Sequence, residues 1–222
     1  MQRRDFTALV GLTGIAGLAA AASPAFAQGG PIEGRQFQRL PQALPTTPGK
    51  IELIEFFWYG CPHCFVFDPT LNQWLHTLPA DVSFRRLHVG FNGVIKLHQR
   101  LFFALEAMGK EAEVHARVFN AFHIERRDVN DEAAVFALVG QLGLDAAAFK
   151  QAWSSFGVQS KCLQATRLSE DYRIDGVPTI GVAGRFTTSP SMAGTQGQTE
   201  QQLGVQAVQV ADYLIKLARN KG

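Results

Sequence analysis

The run Ile51-Glu52-Leu53-Ile54-Glu55-Phe56-Phe57-Trp58-Tyr59-Gly60-Cys61-Pro62-His63-Cys64 decides how this chain folds. Ile51 to Trp58 is nearly continuous apolar sequence, the pattern of a central strand covered on both faces. A glycine then permits a tight turn, two cysteines follow three positions apart, and an amphipathic helical pattern begins. Cys61 therefore stands where a helix starts. The unpaired N–H groups there and the positive end of the helix dipole favour an anion, and cysteine reactivity follows the thiolate fraction.

Pro62 suits the first helical turn because it has no N–H to leave orphaned and its φ is preset. His63 can add a donor or a positive charge beside the thiolate. Cys61 is expected to be the exposed, acidic sulfur. Cys64, one turn along, is expected to be shielded by the helix and able to close a disulfide with Cys61. Two cysteines so spaced after a strand read as a thioredoxin-type redox pair. A structural disulfide or half of a zinc site are the other readings. Zinc needs three or four ligands, yet the only further cysteine is Cys162 and the remaining histidines are scattered.

Working outward, Glu55 interrupts the apolar strand. It either points to an edge as a solvated carboxylate or lies desolvated below the cysteines. Burial would raise its pKa and let it carry a proton for Cys64. The helix from Pro62 is expected to reach about Leu78, with Pro69 inside it and Phe67 near the active-site surface, where it would touch substrate. Val82 to Val89 reads as the next strand, with Arg86 and His88 on one face by period two. Upstream, Gln36 to Leu40 reads as a short edge strand before a proline-rich loop.

Residues 92–164 change character. Helices are expected over Val94–Met108, Glu111–His123 and from Asp131 to about Leu142, with a fourth starting at Asp145; Gly109 and Gly143 serve as stops. A block this long is not a loop. It reads as an all-helical domain inserted into an α/β frame formed by residues 28–91 and 165–222. Val158 to Ile174 is expected to be one long helix leading back to that frame. Cys162, on it, reads as a small buried apolar side chain. Gly176-Val177-Pro178-Thr179-Ile180-Gly181-Val182 is a turn opening a sheet strand. Ser189 to Gln198 reads as a polar loop and Glu200 to Arg219 as a closing helix.

The chain has 222 residues and a formal charge of +2, near +1 without Arg3, Arg4 and Asp5. No basic run or basic–aromatic interleaving points to nucleic acid. Residues 1–27 have the form of a removable signal: Arg3 and Arg4, an apolar stretch to Ala22, Pro24, and Ala25-Phe26-Ala27 before Gln28. Arg3-Arg4-Asp5-Phe6 also resembles a twin-arginine export signal. Three cysteines suit an oxidising compartment outside the cytoplasm, where disulfides are made on other proteins.

These features together resemble the DsbA family of periplasmic thiol–disulfide oxidases. The resemblance covers nearly all of the chain after the signal and rests on Cys61-Pro62-His63-Cys64, the Gly176-Val177-Pro178 turn and the helical insertion. It implies a thioredoxin fold, a cis Pro178 facing the cysteines, and substrate contact through Val177 and Pro178. It implies Glu55 and Arg86 as a charged pair beneath the active site, with His88 in a structural role. It implies no cofactor beyond the redox-active Cys61–Cys64 disulfide. The implied partners are reduced exported polypeptides and a DsbB-type quinone-linked membrane oxidase, with the protein a monomer. Leu101 departs from the family, many members having tryptophan there. A reductase or isomerase on the same fold, or a non-catalytic module whose cysteines hold metal, are the rival readings. Periplasmic isomerases usually carry an N-terminal dimerisation domain, for which Gln28 to Lys50 leaves no room.

Overall fold

The computed structural model describes residues 29–220; the expected export signal over residues 1–27 lies outside them. Five strands form one sheet in the order β1-β5-β4-β2-β3. The central strand β2, Ile51–Phe57, runs parallel to β3, Val82–His88, and antiparallel to β4, Thr179–Val182. The sheet continues through β5, Phe186–Thr188, to the short edge strand β1, Gln38–Arg39, both pairings antiparallel.

Side chains along β2 divide between two cores. Leu53 belongs with Phe67, Leu71 and Trp74 of α1, Pro62–Leu75, and with Ala207, Val210 and Leu214 of α8, Glu200–Arg219. Ile54 and Phe56 belong to a second cluster. That cluster draws on α2, Gly93–Ala107, α3, Glu111–His123, α4, Glu132–Gln141, α5, Ala146–Trp153, and α6, Phe156–Asp171. Covering both faces with helices is what a continuously apolar central strand requires.

The helix boundaries follow local chemistry. Asn92, Asp131, Asp145, Ser155 and Thr199 each cap a helix by accepting a backbone N–H, and Thr199 with Gln202 completes a capping box. Gly109 and Gly143 adopt positive φ after their helices, a conformation in which a side chain would be strained.

The structure corrects four expectations in detail. The first helix stops at Leu75, with a chain turn at His76 and Thr77, where Thr77 bonds back to the Trp74 carbonyl. The long helix starts at Phe156, because Ser155 caps it, and ends at Asp171, so the expected boundary between residues 164 and 165 falls inside it. The loop after Ser189 contains a helical turn, α7, Pro190–Ala193, started by the Ser189 side chain. Cys162 is only partly buried.

Candidate active site

Cys61 is the N-cap of α1, in extended backbone conformation, and Pro62 begins the helix. The Cys64 N–H donates to Cys61 Sγ at 3.4 Å, and Cys61 Sγ donates to the Val177 carbonyl oxygen at 3.4 Å. The Val177–Pro178 bond is cis. Both cysteines are free thiols. Gly60 is required just before them: a Cβ there would lie 2.3 Å from the Trp58 ring, closer than any packing allows.

The expectation of an exposed Cys61 is corrected. It is only 6% exposed, because the turn at Val177 leans over the sulfur; Cys64 is 0% exposed. Environment separates the two thiols. A hydrogen bond from the Cys64 thiol, helped by the Cys64 and His63 backbone N–H groups, pulls Cys61 down to about 6 against the effect of burial. Burial pushes Cys64 well above the ordinary thiol range, and the Cys61 and Glu55 charges push the same way. The outer sulfur is thus favoured as a thiolate, and the inner one is held as a thiol at neutral pH.

His63 helps Cys61 mainly through its backbone. Its ring is exposed and pairs with Glu200 Oε1 at 3.0 Å, and its charge lowers Cys61 less than its backbone N–H does. Phe67, expected near the active-site surface, is only 2% exposed and packs in the core; a Cβ on Gly204 would lie 3.0 Å from its ring. Its edge still lines a groove of about 910 Å³ shared with His63, Val177, Pro178, Met192 and Leu203.

Glu55 is 1% exposed, which decides between the two readings of it. Burial pushes it up to about 7, although Arg86 Nε donates to its Oε2 at 2.9 Å. Glu55 and Arg86 face each other in register across β2 and β3. His88 accepts the Tyr59 N–H at Nε2, 3.1 Å away, with Nδ1 2.8 Å from the Val89 carbonyl oxygen. Burial pushes it down to about 3, so it stands neutral and braces the turn before Cys61.

Other polar residues here went unread in the sequence. Asp68 of α1 accepts from Arg86 at 2.9 Å and pairs with His115 of α3 at 3.2 Å. Trp58 Nε1 donates to His98 at 2.8 Å, and His123 Nε2 to the Tyr59 carbonyl oxygen at 2.7 Å. The spacing of Glu111 and His115, one helical turn apart, was the one available signal for this cluster. Among the described residues no group of three or more His, Cys, Asp or Glu side chains is placed to hold a metal ion.

A model of the DSBA-like thioredoxin domain family matches residues 52–203. The thiol:disulfide interchange protein DsbA of Azotobacter vinelandii is 41% identical over 188 residues, covering 84% of each chain. That of Burkholderia cepacia is 36% identical over 223 residues, covering 100% of this chain and 99% of its own. The crystal structure of Pseudomonas aeruginosa DsbA superposes with a TM-score of 0.77 at 36% identity, over 84% of this chain and 94% of that one.

Proposed function

The chain belongs to the DSBA-like thioredoxin domain family, and from that premise we propose how its thiol–disulfide oxidoreductase chemistry runs. It is a protein disulfide oxidase that donates its Cys61–Cys64 disulfide to reduced cysteines. A substrate thiolate attacks Cys61 Sγ, giving a mixed disulfide and releasing Cys64, which takes up a proton. A second substrate thiolate attacks the substrate sulfur of that bond and expels Cys61 as a thiolate. Two electrons pass from the substrate dithiol to the cysteine pair. The observation that carries this reading is the split between the two thiols. A leaving group near 6 departs easily and stabilises the reduced form, so the disulfide is a strong oxidant. Each pKa unit by which the thiolate is favoured corresponds to about 1.4 kcal/mol, which links local electrostatics to redox potential.

Roles follow for the surrounding residues. Pro62 and His63 set the helix start that favours the thiolate. Val177 and Pro178 line the groove beside Cys61 and present backbone to an extended substrate segment, with the Phe67 edge as its floor. Glu55, buried and titrating near neutrality, carries the proton for Cys64. The helices from α2 to α6 form the helical insertion. The protein acts in the periplasm as a monomer after an export signal over residues 1–27 is removed, the twin-arginine route being one option. No cofactor beyond the cysteine pair is needed in the cycle. Its substrates are reduced exported polypeptides, and a DsbB-type quinone-linked membrane oxidase reoxidises it.

The test is catalysis of oxidative refolding of a reduced protein, with the redox potential of the Cys61–Cys64 couple. A potential near that of the reducing thioredoxins, rather than at the oxidising end of the scale, would favour a reductase instead.

A further inference from the structure

Beneath the cysteine pair lies a buried polar cluster larger than a proton carrier needs. Glu55 comes from β2, Arg86 from β3, Asp68 from α1, and Glu111 and His115 from α3. Arg86 bonds Glu55 and Asp68, each at 2.9 Å, and Asn72 at 2.6 Å. His115 places Nε2 3.2 Å from Asp68 Oδ1 and Nδ1 2.5 Å from Glu111 Oε1. The Tyr59 hydroxyl donates to Glu111 at 3.2 Å. Phe57, Phe119 and Tyr59 surround the imidazole. His88 of β3 faces the same aromatic cage as a neutral ring, and Cys64 of α1 is the thiol that feels the Glu55 charge.

A neutral imidazole has one N–H and cannot donate to both Asp68 and Glu111. Burial opposes a charge on His115, but its bonds to Asp68 and Glu111 outweigh that and hold its pKa above the ordinary value. Three carboxylates then face two cations, Arg86 and His115. One negative charge is left over in a dry site, so the least hydrated carboxylate, Glu55, is the one poised to take a proton.

We propose that His115 is a positioning residue of the redox site: brought in by the inserted helix α3, its imidazolium holds Asp68 and governs whether Glu55 is free to accept the proton of Cys64. The proposal rests on Cys61 and Cys64 being the redox pair. In reoxidation, the Cys61 thiolate attacks a disulfide R–S–S–R, its S–S bond breaks, and one RS⁻ leaves. Cys64 then passes its proton to the Glu55 carboxylate, attacks Cys61 Sγ and expels the second RS⁻. Two electrons move from the cysteine pair to R–S–S–R, and Glu55 returns the proton to solvent. A Glu55 that is already protonated cannot take part.

The experiment follows oxidation of the reduced protein by glutathione disulfide against pH. Alongside it, infrared absorption of the protonated Glu55 carboxyl is titrated, the band being assigned by its loss in Glu55→Gln. His115→Gln removes a positive charge, so both the acid limb of the rate and the infrared titration move alkaline by about one pH unit. His115→Asn removes the same positive charge with a smaller side chain and moves both the same way. If His115→Gln is folded by circular dichroism and neither curve moves, or the infrared titration moves without the rate, the proposal is overturned. Should His115→Gln not fold, His115→Asn decides: an alkaline shift supports it, and an unmoved or acid-shifted limb overturns it. A wild-type protein that exchanges with no disulfide overturns the parent reading as well. Failure of the shifts in an active protein overturns His115 alone.

Discussion

Cys61 Sγ donates a hydrogen bond to the Val177 carbonyl oxygen at 3.4 Å, joining positions 116 residues apart. The contact brings the turn before β4 onto the start of α1, so the Cys61 sulfur and the Val177 backbone share one small surface. Cys64 has no such access, being fully enclosed behind it.

That difference in access makes the first prediction asymmetric. Cys61→Ser abolishes disulfide donation, because no other sulfur of the pair can be reached. Cys64→Ser cannot hold the internal disulfide, but its Cys61 thiolate attacks the substrate sulfur of a glutathione-capped substrate cysteine, and glutathione leaves as a thiolate. With no Cys64 thiol to attack Cys61 Sγ and release the substrate, the mixed disulfide accumulates. Non-reducing electrophoresis shows both effects, with Cys61→Ser mixed with a reduced substrate and Cys64→Ser with the glutathione-capped one. Normal oxidation by Cys61→Ser would falsify the assignment.

The acidic Cys61 also ties redox state to stability. Its folded value, about 6, lies below the ordinary 9, so the reduced native state binds fewer protons than the unfolded chain between those values. The stabilisation is full above pH 9 and is lost as pH falls through 6. At pH 7 it amounts to about 1.4 kcal/mol and at pH 8 to about 2.7 kcal/mol. The oxidised protein lacks the group. The gap in urea stability between reduced and oxidised forms should therefore widen by about 2.5 kcal/mol from pH 5 to pH 8. A constant gap would mean Cys61 is an ordinary thiol.

What could be read from sequence was whatever local chemistry decides. The continuous apolar run of β2, the cysteine at a helix start, and the helix bounds Glu111–His123 and Glu200–Arg219 needed only periodicity and caps. The partial cover over Cys61 did not follow from its neighbours, because it comes from Val177, far along the chain. Phe67 could not be placed either: core and groove meet at that one ring. Asp68 and His115 are unremarked on their own helices, and only tertiary packing brings them to Arg86 and to each other. Glu55 stood out because a carboxylate in an apolar strand is a local conflict, and such conflicts concentrate at working sites.

Arg86 is the main counter-charge in that buried cluster, bonded to Glu55, Asp68 and Asn72. Arg86→Met keeps most of the stem but leaves two buried carboxylates without it. Removing one partner of a buried ion pair typically costs about 3–5 kcal/mol, and a loss of that order is expected in urea unfolding at pH 7. The loss shrinks at lower pH, where Glu55 is protonated and needs no partner. A loss below about 1 kcal/mol would place Arg86 among ordinary surface charges.

Glu55 provides the last and sharpest test, since its effects on stability and rate have opposite signs. Its folded value, about 7, lies above the ordinary 4.5 because burial disfavours the charge. The native state binds the extra proton between those values, so stability is lost as pH rises through that window, by about 3 kcal/mol in all. Glu55→Gln removes the titration while keeping the shape. The oxidised variant should lose less stability than wild type between pH 4.5 and 8. The same variant should turn over about tenfold more slowly or worse at pH 7, the scale of a lost proton-transfer group, while remaining folded. An unchanged rate across pH would retire Glu55 as a proton carrier, and an unchanged stability profile would mean that the carboxylate is hydrated after all.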